Sequence, residues 1–211
     1  MDFLRRIIRC PESWYPRLKI KSAGQVDMVL AMFLLLAMVL MTGFASRVSA
    51  MQAAGDYTED ALAGALLSAA VIDVEEYGKN GEIRIADPRE AYGLFADSLR
   101  FNLKLEEGDY SSNEELMYGK VTILGFEIYS VNGDEIERIR VGEGMELHRE
   151  TIGKCGEVRT PDGAVVENTT IYGKIGFYVK GMFSDSIYAT KEKSIDIVRN
   201  EEDTDEKEET D

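Results

Sequence analysis

The chain has 211 residues and a net charge of −15, with 39 acidic against 24 basic side chains, one histidine and two cysteines. So acidic a surface repels phosphate, which argues against nucleic acid as a partner. A lone histidine excludes a His-rich zinc site, and two cysteines make no disulfide framework.

Residues 1–25 carry Arg5, Arg6, Arg9, Arg17, Lys19 and Lys21 against Asp2 and Glu12, a net of +4. Phe3, Leu4, Ile7 and Ile8 lie among the arginines, which reads as a basic amphipathic stretch for the anionic inner leaflet, or simply as a topogenic leader. Pro11 and Pro16 stop any long helix, and Trp14 and Tyr15 suit an interfacial depth.

Met28–Ser46 contains no charged residue and is bounded by Asp27 and Arg47. At about 1.5 Å per residue, a helix of this length spans roughly the hydrocarbon core of a bilayer, so membrane lipid is the expected surrounding. Asp27 and Arg47 cancel, and the −15 of the whole chain therefore leaves −19 on residues 48–211. A basic flank followed by an acidic domain predicts a single-pass protein with a cytoplasmic N-terminus and an extracytoplasmic C-terminal domain. The predicted organisation is a basic cytoplasmic leader (1–25), a transmembrane helix (26–47), an extracytoplasmic α+β domain (48–200) and a disordered acidic tail (201–211). The room left for that domain, about 150 residues, is enough to bury a core. Cys10 and Cys155 then lie on opposite sides of the membrane and cannot pair within one chain. Cys155 is expected as a partly buried or free thiol, with an intermolecular bridge as the alternative.

Three fates are open to the N-terminal portion. It is an uncleaved anchor, a secretory signal cut after Val48-Ser49-Ala50, or a prepilin-type leader cut after Gly24. The apolar run exceeds an ordinary signal-peptide core, and no helix break precedes Val48.

The Lys21-x-x-Gly24-Gln25 boundary, followed by Asp27 and a long apolar helix, resembles the N-terminus of prepilin-like proteins, closest to the TadE/TadG-like minor pilins of tight-adherence pilus systems. The helix that runs on into an alanine-rich amphipathic helix, a second helix and then strands resembles that family as a pattern. The resemblance implies a pilin-like fold, processing between Gly24 and Gln25, and a subunit-registration role for Asp27. It also implies other pilin-like subunits and pilus assembly proteins as partners. The family's acid is usually a glutamate five residues after the glycine, whereas Asp27 stands three after it. A carboxylate there would neutralise the ammonium of a neighbouring subunit's Gln25 in a low-dielectric setting. Otherwise Asp27 is the last polar residue at the membrane surface.

Beyond Arg47 the helix is predicted to continue to about Glu76. Tyr57, Ala61, Ala65 and Ala69 recur every fourth residue, with Leu62, Leu66 and Ile72 beside them. Gly55, Gly64 and Ser68 thin the helix for close approach, either to this chain's own sheet or to neighbouring subunits. Gly78, Asn80 and Gly81 end it, and Glu82–Ile85 reads as a short strand. Asp87 fits an N-cap, Pro88 the first turn and Glu90 a capping box, for a helix that buries Ala91, Phe95, Leu99 and Leu103 with Leu94 alongside, ending near Leu105.

From Lys120 the period changes to two. Val121–Val131 is a strand with a bulge at Gly125, and Asn132-Gly133 signals a type I′ hairpin into Glu135–Val141. Gly142-Glu143-Gly144 opens a loop that runs past His148 to Gly156, and Thr160-Pro161-Asp162-Gly163 marks a turn. Ile171, Gly173, Ile175, Phe177, Val179 and Gly181 alternate with polar positions as a half-buried strand. Ser184-Asp185-Ser186 turns it into Ile187–Val198, where Ile187, Ala189, Ile195 and Ile197 share a face. Consecutive hairpins imply an antiparallel sheet with the long helix over its apolar face.

No catalytic, cofactor or metal set is legible. Glu146, Glu150 and Cys155 surround His148 at a spacing that matches no strong metal pattern. Gly142-x-Gly144 lacks a dinucleotide fingerprint, and no P-loop, H-E-x-x-H or G-x-S-x-G occurs. Asn168-Thr169-Thr170 fits a glycosylation sequon. The sequence thus predicts a non-enzymatic pilin-like structural subunit of a cell-envelope pilus or secretion assembly. The alternatives are a single-pass membrane-anchored binding or sensor domain and, behind it, a secreted enzyme.

Overall fold

The computed structural model describes residues 23–112, 117–142, 144–180 and 186–198. The leader up to Ser22 and the acidic tail Glu201–Asp211 lie outside the described residues. The protein is a mixed helix and antiparallel-sheet protein with a long apolar N-terminal helix. Helix α1 spans Ala23–Ala69 and belongs to two compact units, one ending at Ser46 and the other starting at Arg47.

In the first unit the described side chains from Asp27 to Ser46 are all exposed. Its two hydroxyls bond back along the helix: Thr42 Oγ1 donates to Met38 O at 2.8 Å, and Ser46 Oγ to Thr42 O at 2.9 Å. Such i−4 bonds satisfy a hydroxyl where no water is available.

The second unit opposes the rest of α1 and helix α3 (Pro88–Leu103) to a five-stranded sheet. The strands are β1 (Tyr118–Asn132), β2 (Glu135–Val141), β3 (Leu147–Lys154), β4 (Thr169–Lys180) and β5 (Ser186–Ile197), in the order β3-β2-β1-β4-β5 with every pair antiparallel. The alanine stripe is used inside this domain: Ala61, Leu62, Ala65, Leu66 and Ala69 are buried with Phe95 and Leu99 of α3 and with Phe126, Ile171 and Ile175 of the sheet. Phe95 and Phe126 stack at 5.0 Å between ring centres, and Tyr92 meets Phe126 edge-on at 5.6 Å.

Close approach of the two helices falls at the small residues. A Cβ on Gly64 would lie 3.0 Å from Asn102 Nδ2, and that amide donates to Ala61 O at 3.3 Å. Ser68 folds its hydroxyl onto Ala65 O at 2.7 Å, and Tyr57 donates to Asn102 O at 2.6 Å.

Four local expectations are corrected. First, α1 stops at Ala69 rather than near Glu76. Ile72 pairs with Ile85 instead of continuing the helical stripe, and Asp73 N donates to Arg84 O at 2.8 Å. Asp73 then caps a separate helix, α2 (Val74–Asn80), by accepting from the amides of Glu75 and Glu76 at 3.0 Å each. The expected strand Glu82–Ile85 shrinks to that one bridge. Second, Leu147–Lys154 is a strand and not a loop; its partner β2 supplies the ladder that its own pattern does not announce.

Third, the β1–β2 turn consists of Gly133-Asp134, because Asn132 already pairs with Glu135. Only Gly133 has positive φ (61°), the pattern of a type II′ turn and not of type I′. Fourth, β4 is buried on both faces over most of its length. Tyr172 sits in a second cluster with Tyr129, Ile136 and Val166, roofed by the excursion that carries Val158.

Other expectations hold. Asp87 caps α3 through the Arg89 amide at 2.8 Å, with Pro88 in the first turn. The bulge at Gly125 shifts the β1–β4 register between Ile123 and Gly125, which returns Phe126 and Ile128 to the helix side. Leu94, expected alongside the buried residues of α3, instead edges outward and is 37% exposed.

Candidate functional site

Gly24 and Gln25 lie within α1 as described, and Asp27 follows in the same helix with an exposed side chain. Val48-Ser49-Ala50 lies in the interior of α1, so a cut there would have to open a helix. The exposed apolar surface of the first unit includes Met28, Phe33, Leu36 and Met41, each 56–74% accessible. The segment starting at Asp27 is long and apolar enough to cross a membrane, with mean hydropathy of 2.5.

The residues around His148 are not gathered into a site. Glu150 Oε1 accepts from Arg138 Nε at 3.0 Å and from Arg140 Nη2 at 2.8 Å, and the Arg138 hydrogen bond holds its carboxyl below the usual range. His148 and Glu146 are exposed and 3.9 Å apart. Cys155 is half-buried with a free thiol that donates to Glu167 O at 3.3 Å. Among the described residues no group of three His, Cys, Asp or Glu side chains is placed to hold a metal ion. In the sequon, the buried Thr170 hydroxyl is engaged with Asp196 Oδ1 at 2.6 Å.

The outer face of the sheet carries a polar network that the sequence did not announce. Tyr172 donates to Glu192 Oε2 at 2.7 Å, and Lys174 Nζ reaches the same oxygen at 2.8 Å. Burial, then the hydrogen bond to Glu192, pushes the Tyr172 phenol up. Glu192 is held low by Lys174 first and Tyr172 second. Ser194 Oγ donates to Asp162 Oδ2 at 2.7 Å and ties the Thr160–Gly163 turn to β5. These contacts hold the roof over Tyr129 and Tyr172; every acid in them has a partner, so they supply no free base.

Among the described residues the concavities include an open depression of about 460 Å³ lined by Leu124, Phe126, Arg140 and His148, and two others. A groove of about 500 Å³ between α3 and β1 contains Arg100, Asp109 and Lys120, with Arg100 Nε and Asp109 Oδ1 already paired at 2.6 Å. A cavity of about 70 Å³ beside the start of α3 is lined by Arg84, Ser130, Asn132 and Arg149. Arg84 Nε and Asn132 Oδ1, on two of these residues, are buried without a partner among the described residues.

Compared with protein-family models, with curated proteins and with solved structures, the chain matches none.

Proposed function

We propose that the protein is a membrane-anchored, pilin-like structural subunit, similar to the TadE/TadG-like minor pilins, that assembles with like subunits at the cell envelope. The observation that carries this reading is the division of labour along α1. Its alanine stripe from Ala61 to Ala69 is buried in the chain's own domain, whereas Met28–Ser46 leaves every side chain exposed. A span with two faces to offer lateral neighbours is what a filament subunit needs, and small or polar positions such as Gly43 and Ser46 permit close helix approach.

In this reading the leader is cytoplasmic, a peptidase cuts between Gly24 and Gln25, and Asp27 balances the new ammonium of a neighbour. The domain from Arg47 onward then stands outside the membrane, acting through its surface with no catalytic step. The competing tether reading, an anchored binding or sensor domain, predicts a retained leader.

N-terminal analysis of the mature protein from its native host decides between them. A mature chain starting at Gln25, and its loss in Gly24→Val together with loss of assembly, is the expected result. An intact Met1 in the wild-type protein, or normal processing and assembly in Gly24→Val, overturns the proposal.

A further inference from the structure

Seven of the ten tyrosines fall into two sets. The hydroxyls of Tyr57, Tyr129 and Tyr172 are hydrogen-bonded inside the domain. Tyr110, Tyr118, Tyr178 and Tyr188 are 40–55% exposed, and among the described residues their hydroxyls have no partner. Strand register gathers this second set at one end of the sheet. Tyr118 pairs with Tyr178, Tyr178 pairs with Tyr188, and Tyr110 bridges to Lys120 beside them. The Tyr178 and Tyr188 rings lie 5.0 Å apart, and Tyr188 lies across Gly176, where any Cβ would collide with its ring and hydroxyl.

That end is the one toward which α1 leads back. Leu66 sits over Gly173, Glu59 bonds Lys193 and Lys191, and a Cβ on Gly55 would lie 3.8 Å from Lys191 Cε, so decreasing helix number tracks toward the start of β5. Thr58 Oγ1 meets Met117 Sδ at 3.7 Å, one residue from Tyr118. From Gly55 back to Arg47, where the apolar run ends, is about 12 Å of helix. Within this unit α1 therefore runs back toward the sheet end that carries the tyrosine row.

We infer that the sheet end bearing Tyr110, Tyr118, Tyr178 and Tyr188 rests in the headgroup layer of the bilayer, on zwitterionic phospholipid. Tyrosine has the required chemistry: an apolar ring for the acyl boundary and a hydroxyl for phosphate and ester oxygens. The charge argues for zwitterionic and not anionic lipid. Exposed Lys120 and Lys180 flank the row, but exposed Glu106 and Glu107 precede Tyr110, and the domain as a whole is strongly acidic. The inference rests on the membrane reading of Met28–Ser46. It adds that the domain lies down on the membrane at a defined edge instead of standing clear of it.

The test uses the full chain with Cys10→Ser and Cys155→Ser, reconstituted in phosphatidylcholine vesicles. A fluorophore is attached at Tyr188→Cys, separately at Tyr118→Cys, and at Asp134→Cys in the β1–β2 turn at the opposite end of the sheet. Nitroxide on the lipid headgroup should quench the labels at 188 and 118 several-fold more than the label at 134, and iodide in the water should show the reverse order. Equal quenching at 134 and at both tyrosine sites, in a chain that resists carbonate extraction, overturns this inference alone. A chain washed off by carbonate overturns it together with the membrane reading. Quenching that needs phosphatidylglycerol and disappears in high salt overturns the assignment to zwitterionic lipid.

Discussion

Leu66 and Gly173 meet where α1 crosses β4, so closely that a Cβ on Gly173 would lie 2.9 Å from Leu66 Cδ2 and 3.3 Å from the Phe95 ring. The glycine is the space that lets both helices settle on the central strands. Gly173→Ala is expected to destabilise the domain by about 1–3 kcal/mol through overpacking. Leu66→Ala alone is expected to cost about 2–5 kcal/mol. Combined, the new methyl enters the volume that the leucine vacates, so the double variant should lose less than the two single losses added together. Denaturation of detergent-solubilised protein followed by circular dichroism measures all three. Simple additivity would show that the two residues do not compete for one space.

Glu59 on α1 bonds Lys193 at 2.9 Å and Lys191 at 3.2 Å. Both lysines belong to edge strand β5, and turning charge inward on an edge strand discourages pairing with another chain. Hydrogen bonds from Lys193 and then Lys191 hold the Glu59 carboxyl below its ordinary value of 4.5. A group with a depressed folded pKa contributes stability above its unfolded pKa and loses it as pH falls through the folded value. Glu59→Gln is therefore expected to cost up to about 1 kcal/mol at neutral pH, since the pair is partly solvated. The gap between variant and wild type should close once pH drops below 4.5 and through the lowered folded value. Paired melting curves across that range check it, and a gap independent of pH would refute the electrostatic origin.

How much was legible depended on whether a residue's environment was local. Helix α3 was readable because Asp87, Pro88 and the four-residue spacing of Ala91, Phe95, Leu99 and Leu103 all lie within one stretch. The apolar run Met28–Ser46 was readable from composition alone. Strand β3 was not, because Leu147–Lys154 is an edge strand exposed over His148–Glu150, with no alternation to betray it. The break at Ala69 was hidden because Ile72 fits a helical stripe as well as it fits its bridge to Ile85, which only the fold supplies. Burial of Tyr172 depends on Val158 and Val166 folding back over the sheet. The exposed tyrosine row depends on the register of three strands, which no spacing along the chain encodes.

The roof over Tyr129 and Tyr172 is fastened at Asp162. Burial pushes this carboxyl up, but hydrogen bonds donated by Thr160, Ser194 and the backbone amides of Ala164 and Asp162 together outweigh that and leave it below its usual value. Asp162→Ala removes both acceptors and should loosen the excursion without unfolding the helix side of the sheet. The Val166 amide, which donates to Val158 O at 2.9 Å within the roof, is the reporter. Its hydrogen exchange should accelerate roughly tenfold in Asp162→Ala, in keeping with loss of a charge-assisted bond, and less in Ser194→Ala. Exchange at buried Ile171 should stay at the wild-type rate. Equal acceleration at Ile171 would mean that Asp162 supports the whole domain and not a local cover.

The membrane reading of α1 has its own test, independent of processing and of the tyrosine row. Leu36 and Val39 stand near the middle of the uncharged run and are 56% and 67% exposed, so neither supports the folded domain. A lysine near the centre of a spanning helix costs about 2.5–3.5 kcal/mol on the insertion scale, and two on one face leave little of the driving force that the run provides. Leu36→Lys with Val39→Lys should release the protein from membranes under carbonate extraction. Leu36→Ala with Val39→Ala should remain bound. Circular dichroism of the released variant should still report the sheet, because the core from Ala54 to Val179 is untouched. Retention of the double-lysine variant in the membrane fraction would show that something other than Met28–Ser46 holds the chain there.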